Sequence, residues 1–250
     1  MKFQIPSALP GAASARRTLC KCALLGGLLV GIDPCAAAQD VYWHQRVSLF
    51  DKLPVSETDI VFLGNSITDG GEFAEMFGME NCINRGIRSD VINGVRKRLR
   101  QVTDGHPAKI FLLIGINDVS HGLPAEKIAS NYEQLVKEIR EATPETELYV
   151  QSVMPINNDF KRYKNLVGRE DVIPALNALI KEIAVNNGAT YIDLWGALAD
   201  ESGSKLRREF TNDGLHLTGA GYQAWAGAIV PYVKEEPAHD ATLLLKNKIE

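Results

Sequence analysis

The chain has 250 residues, 27 of them basic and 31 acidic, for a net charge of -4. The charges are spread along the chain without a basic run, which excludes a nucleic-acid footprint and favours a small or neutral substrate over a polyanion. No H-E-x-x-H, C-x-x-C or dense carboxylate cluster is present, so no metal or cofactor is expected.

Residues 1–38 read as an export leader rather than as fold. Lys2, Arg16, Arg17 and Lys21 precede an apolar run at 23–32, and Ala36-Ala37-Ala38 then fits a small-residue cleavage site. The run is shorter than the roughly 20 residues that cross a bilayer, so no stable membrane insertion is expected after its removal. Arg16-Arg17-Thr18-Leu19-Cys20-Lys21 resembles a twin-arginine signal, whereas Asp33-Pro34 argues against a lipid anchor at Cys35. Residues 39–250 are then a single periplasmic or secreted domain, with 235–250 a frayed tail. Cys82 is the one thiol left in it. It lies in a short apolar stretch and reads as a buried small side chain, not a nucleophile.

Apolar residues at 43, 47, 50 and 53 predict a first helix over 41–53. The run Asp59–Leu63 is a first strand, and 66–78 a helix with Phe73, Met76 and Phe77 inward. A second strand ends near Asn84. Ser89 or Asp90 then caps a helix with apolar positions 91, 92, 95, 99 and 102. The uninterrupted run 110–114 is a central parallel strand. Pro124 opens a helix with Ile128, Tyr132, Leu135 and Ile139 on one face. Strands at 148–153 and 191–194 flank a helix over 174–187 that ends at Gly188, and a last helix follows Thr218. Strands alternating with helices predict an α/β fold with a parallel sheet covered on both faces.

The chemistry-bearing stretches sit between these elements. Gly64-Asn65-Ser66-Ile67-Thr68-Asp69-Gly70 delivers Ser66 to the carboxyl end of a strand, where open α/β sheets bind ligands. A serine hydroxyl needs a base, a group orienting that base, and oxyanion donors. Asp213-Gly214-Leu215-His216 offers them: neutral imidazole can take the Ser66 proton near pH 7, and Asp213, three residues earlier, can reach its other nitrogen. The loop after the fourth strand, 154–168, is rich in Asn, Lys and aromatics and is a candidate pocket wall, through Asn157 and Tyr163 among others. His121 is a second candidate for the cleft.

With Asn84-Arg85-Gly86-Ile87-Arg88-Ser89-Asp90 and Gly115-Ile116-Asn117-Asp118 between them, these stretches resemble, in order, the four blocks of the SGNH hydrolases, the GDSL-type esterases and lipases. The resemblance implies a flavodoxin-like three-layer sandwich with five strands in the order 2-1-3-4-5. It implies a triad of Ser66, Asp213 and His216, and an oxyanion hole of the Ser66 and Gly86 N–H groups and the Asn117 amide. Two departures stand out: Asn65 replaces the common Asp, and the second block lacks its second glycine at 87–89, which narrows the cleft near Arg88. Arg85 and Arg88 could meet a carboxylated substrate, but the reading preferred for both is a solvated surface arginine. Blocks of this form resemble those of sialate O-acetylesterases and platelet-activating-factor acetylhydrolase-like enzymes. The expectation is an exported esterase cleaving short acyl, foremost acetyl, esters of a small molecule or glycan. The rivals are a lysophospholipase or thioesterase for longer acyl chains and a non-catalytic sugar-binding module.

Overall fold

The computed structural model describes residues 34–235, with side chains from residue 40. The leader up to residue 33 and the tail beyond 235 lie outside the described residues. Five strands form one sheet: β1 Ile60–Gly64, β2 Cys82–Gly86, β3 Lys109–Leu113, β4 Glu147–Gln151 and β5 Thr190–Ile192. All neighbours are parallel and the order is β2-β1-β3-β4-β5, as the SGNH resemblance implies. Both β1 and β3 are buried along their whole length, the pattern of strands covered on both faces.

Among the described residues ten α-helices surround the sheet. They are α1 Pro34–Phe50, α2 Ser66–Asp69, α3 Phe73–Phe77, α4 Ile92–Lys97, α5 Arg100–Thr103, α6 Ile116–Ser120, α7 Ala125–Ala142, α8 Val172–Asn186, α9 Trp195–Leu198 and α10 Gly219–Lys234. One layer packs α4, α7 and α8 together, and another packs α3 against α10. The amphipathic face read for 124–144 is the buried one: Ile128, Tyr132, Leu135 and Ile139 are all fully enclosed.

An aromatic ladder holds the α3/α10 layer to the sheet. Phe62, Phe111 and Tyr149 are in register on β1, β3 and β4 and stack at 5.1 and 4.6 Å between centroids. Phe73 of α3 stacks on Phe62 at 3.8 Å, and Trp225 of α10 meets Phe73 edge-on at 5.4 Å. Each such pair adds about 0.5–1.5 kcal/mol beyond area burial. Lys109, buried in β3, donates Nζ to the carbonyls of Tyr232 at 2.7 Å and Glu235, closing the carboxyl end of α10.

Three sequence expectations need correction. The helix expected over 66–78 is two, broken at Gly70-Gly71. The Thr68 carbonyl accepts the Gly71 N–H at 3.0 Å in a tight turn in place of the four-residue ladder, and Asn84 Nδ2 holds that turn by donating to the carbonyls of Thr68 at 2.7 Å and Gly71 at 2.8 Å. The helix expected after Ser89-Asp90 is also two, α4 and α5, and neither Ser89 nor Asp90 is its cap. Asp90 instead turns inward to Arg98 Nε at 2.7 Å and Trp43 Nε1 at 3.2 Å, and the Ile92 N–H goes to Asp118 Oδ2 at 3.2 Å. Arg85, finally, is not on the surface. It is buried, donates to the carbonyls of Asn84 and Leu53, and stacks on Phe50.

Two of these buried charges give testable consequences. Asp90 and Arg98 are both enclosed, and burial raises the Asp90 carboxyl above its usual value against the pull of Arg98. Asp90→Ala strands the guanidinium and is expected to cost about 3–5 kcal/mol in urea unfolding; a loss below about 1 kcal/mol would contradict this account. Burial lifts Asp118 to about 6. Because its folded pKa is raised, the stability tied to it is complete below the unfolded value near 3.9 and is lost as pH rises through about 6. Asp118→Asn keeps an acceptor for Ile92 and removes the ionisation cost, so its melting temperature should exceed the parent's at pH 7.5, with the gap closing by pH 4.

Candidate active site

The carboxyl ends of β1, β2 and β3 lie together at the point where strand order reverses, the usual ligand position in open parallel sheets. At the end of β1 Asn65 caps α2, its Oδ1 accepting from the Ile67 N–H at 3.0 Å, so the Asn that replaces the common Asp still fixes the turn. Ser66 is the first residue of α2, where backbone N–H groups have no intrahelical partner.

The segment before α10 brings the histidine to it. His216 Nε2 lies 2.8 Å from Ser66 Oγ, across 150 residues of chain. His216 Nδ1 lies 2.8 Å from Asp213 Oδ2, and the other carboxylate oxygen accepts the N–H groups of Leu215 at 2.9 Å and His216 at 2.8 Å. Burial works to raise the Asp213 pKa, but the bonds from His216, Leu215 and Tyr163 outweigh it and hold the carboxyl at about 2. Gly214 has φ +92°, and a Cβ there would meet the Asn157 carbonyl at 2.2 Å, so only glycine fits this turn. Tyr222 of α10 donates its hydroxyl to the Ile67 carbonyl at 2.8 Å, clamping α10 directly to α2.

On the opposite side Asn117 Nδ2 donates to the Asp90 carbonyl at 2.8 Å, which engages one of its two amide hydrogens. Gly86 does not offer the free N–H expected of it. That N–H donates to Asn84 Oδ1 at 2.7 Å, and a Cβ on Gly86 would meet the Asp69 nitrogen at 2.2 Å, so the glycine serves close packing against α2. Ser89, in the stretch that lacks a second glycine, has φ +62°, a left-handed conformation a glycine would adopt without strain, and neither its N–H nor that of Arg88 has a partner among the described residues.

The expected substrate wall divides. Asn157 is buried and its side chain is spent within the protein, on the Leu206 carbonyl and the Asp159 N–H, so it does not present an amide to a cleft. Tyr163 instead reaches the triad region, with Oη 2.7 Å from Asp213 Oδ2 and 2.8 Å from His216 Nδ1. Arg88 is exposed, but its Nε is held by Asp69 at 2.9 Å. His121 is exposed at the end of α6 and makes no bond to the Ser66–His216 pair. The tie of Tyr163 and the role of Tyr222 escaped the sequence, since neither sits in a recognisable block. A separate groove of about 970 Å3, lined by Asn177, Tyr191, Asp193 and Trp195 among others, lies beside α8 and β5 and includes none of these groups.

Comparison with known proteins gives a consistent result. A Streptococcus pneumonia structure provisionally described as a platelet activating factor is 27% identical, with a TM-score of 0.71 over 80% of this chain and 99% of that one. A GDSL-like lipase from Bacteroides thetaiotaomicron is 22% identical, with a TM-score of 0.67 over 77% and 97%. An acetylxylan esterase from Geobacillus stearothermophilus is 18% identical, with a TM-score of 0.59 over 72% and 96%. No curated protein matches. Residues 62–224 match the sequence model of the GDSL-like lipase/acylhydrolase family, a span running from β1 into α10 and taking in all four blocks; the chain belongs to that family and is a carboxylic ester hydrolase.

Proposed function

We propose that this chain is an exported serine esterase that removes short acyl groups, foremost acetyl, from hydroxyls of carbohydrates. The observation that carries the reading is the relay from Ser66 Oγ through His216 to Asp213, each link 2.8 Å long. Ser66 attacks the ester carbonyl while its proton passes to His216 Nε2, and Asp213 stabilises the imidazolium. The tetrahedral intermediate expels the sugar hydroxyl, which takes the proton back from His216. Water, deprotonated by the same histidine, then cleaves the acyl-enzyme, releasing the carboxylic acid and restoring Ser66.

The oxyanion in this reading is held by the Ser66 N–H and by the Asn117 amide hydrogen not engaged with Asp90, while the Gly86 N–H, the third donor the resemblance implies, is bonded to Asn84 Oδ1. The carbohydrate preference is supported by the exposed polar positions Lys161, Arg162 and Asn165 in the loop after β4. Similarity to the acetylxylan esterase adds an analogy of fold. Export rests on the charge and hydropathy of residues 1–38. Among the described residues no helix is long and apolar enough to cross a membrane.

Ser66→Ala should lose about 10⁴-fold or more of the esterase rate with an unchanged melting curve; retained activity would remove Ser66 from the mechanism. In the parent protein a series of nitrophenyl esters should turn over fastest as acetate, and faster cleavage of octanoate would favour a lysophospholipase or thioesterase. Asn117→Ala should lower kcat by about 10²–10³ with little change in KM. A loss confined to KM would mean that Asn117 only binds substrate.

A further inference from the structure

We propose that Tyr163 is a positioning residue of this esterase, its phenol joining Asp213 to His216 so that the imidazole keeps the tautomer and orientation needed to receive the Ser66 proton. The inference rests on the triad reading above and adds a fourth member to it.

The geometry leaves little choice of hydrogen placement. A phenol has one hydrogen and the ionised carboxylate none, so over the 2.7 Å contact Tyr163 Oη donates to Asp213 Oδ2. Its lone pairs then face His216 Nδ1 at 2.8 Å, on which Asp213 Oδ2 also converges at 2.8 Å. With two acceptors converging on it, Nδ1 carries the hydrogen. Nε2 is therefore the bare nitrogen, 2.8 Å from Ser66 Oγ and ready to accept. Burial, then the hydrogen bond to Asp213 and the negative charge of that carboxylate, push the phenol well above its usual pKa, so it stays protonated over the working range. The charged groups acting on the trio are Asp213 itself and Arg162, which draws the phenol back down.

The loop is built to hold the ring there. Lys161 turns the chain at φ +56°, the Leu166 N–H donates to the Tyr163 carbonyl at 3.0 Å, and Leu166 is buried. The Asn157 N–H donates to the Gly214 carbonyl at 2.8 Å, so the loop carrying Tyr163 and the turn carrying Asp213 and His216 are stitched together. The two rings meet edge-on at 5.7 Å.

Removing the phenol takes a donor from Asp213, leaving the carboxylate more basic, and takes a neutral acceptor from His216 Nδ1; the first change acts through the full charge of Asp213 and outweighs the second, so the imidazolium is stabilised. In Tyr163→Phe the acid limb of the kcat/KM profile for nitrophenyl acetate should move about 0.5–1 pH unit upward, and kcat at neutral pH should fall about 5- to 20-fold with KM within about twofold. Tyr163→Leu, which also removes the ring, should lose the same kcat if the hydroxyl is what matters. A Tyr163→Phe profile superimposed on the parent's would overturn the proposal, as would a raised KM at unchanged kcat, the mark of a substrate wall. The Ser66→Ala protein separates the two levels: if it remains active the triad reading itself fails, and if it is inert while Tyr163→Phe behaves as the parent, only the role of Tyr163 falls.

Discussion

The site depends first on one buried ion pair. Asp90 and Arg98 are enclosed together, and the pair joins three strand ends: Asp90 belongs to the turn after β2, Arg98 Nη2 donates to the Gly64 carbonyl of β1 at 3.1 Å, and the Asp90 carbonyl receives Asn117 from beyond β3 at 2.8 Å. Trp43 of α1 adds a fourth tether. Apolar packing is non-directional and would tolerate small shifts of these loops past one another. A charge pair in a low dielectric does not, because every misalignment leaves an ion with neither water nor partner. Gly94 is part of the same constraint, since a Cβ there would fall 1.8 Å from Asp90 Oδ1.

The second constraint docks the late part of the chain on the early part. Tyr222 reaches the Ile67 carbonyl and occupies the space where a Cβ on Gly70 would project, 2.4 Å from its hydroxyl oxygen. With α10 so seated on α2, the short turn preceding it carries His216 to Ser66. The donors around Asp213 keep that carboxylate ionised far into acid. Its depressed pKa means that the associated stability is present above the unfolded value near 3.9 and drains away as pH falls toward about 2. The arrangement that orients the imidazole thus also fastens the 211–216 turn.

Much of this was legible in the residues. Uninterrupted apolar runs at 60–63 and 110–114, in a chain whose strands alternate with helical spacing, point to a parallel sheet, and four short blocks mark which loops carry the chemistry. The sequence was least informative where a side chain serves a distant element. The Asn84 amide fastens the turn that breaks the helix expected over 66–78, and Asp90 leaves its expected cap to pair with Arg98. Arg85, outwardly a surface arginine, is buried because the Leu53 and Asn84 carbonyls and the Phe50 ring receive it.

Gly86 and Tyr163 mark the boundary most sharply. The family resemblance marked Gly86 as an oxyanion donor, and the composition of the loop after β4 made its aromatic, Tyr163, part of a candidate pocket wall. Only the folded chain decided that the Gly86 N–H is taken up by Asn84 and that the phenol points at Asp213 and not outward. The physical reason is range. Periodicity, turn preference and block order are properties of neighbouring residues, whereas the partner that claims a given hydrogen is whichever acceptor the tertiary packing brings within about 3 Å of it.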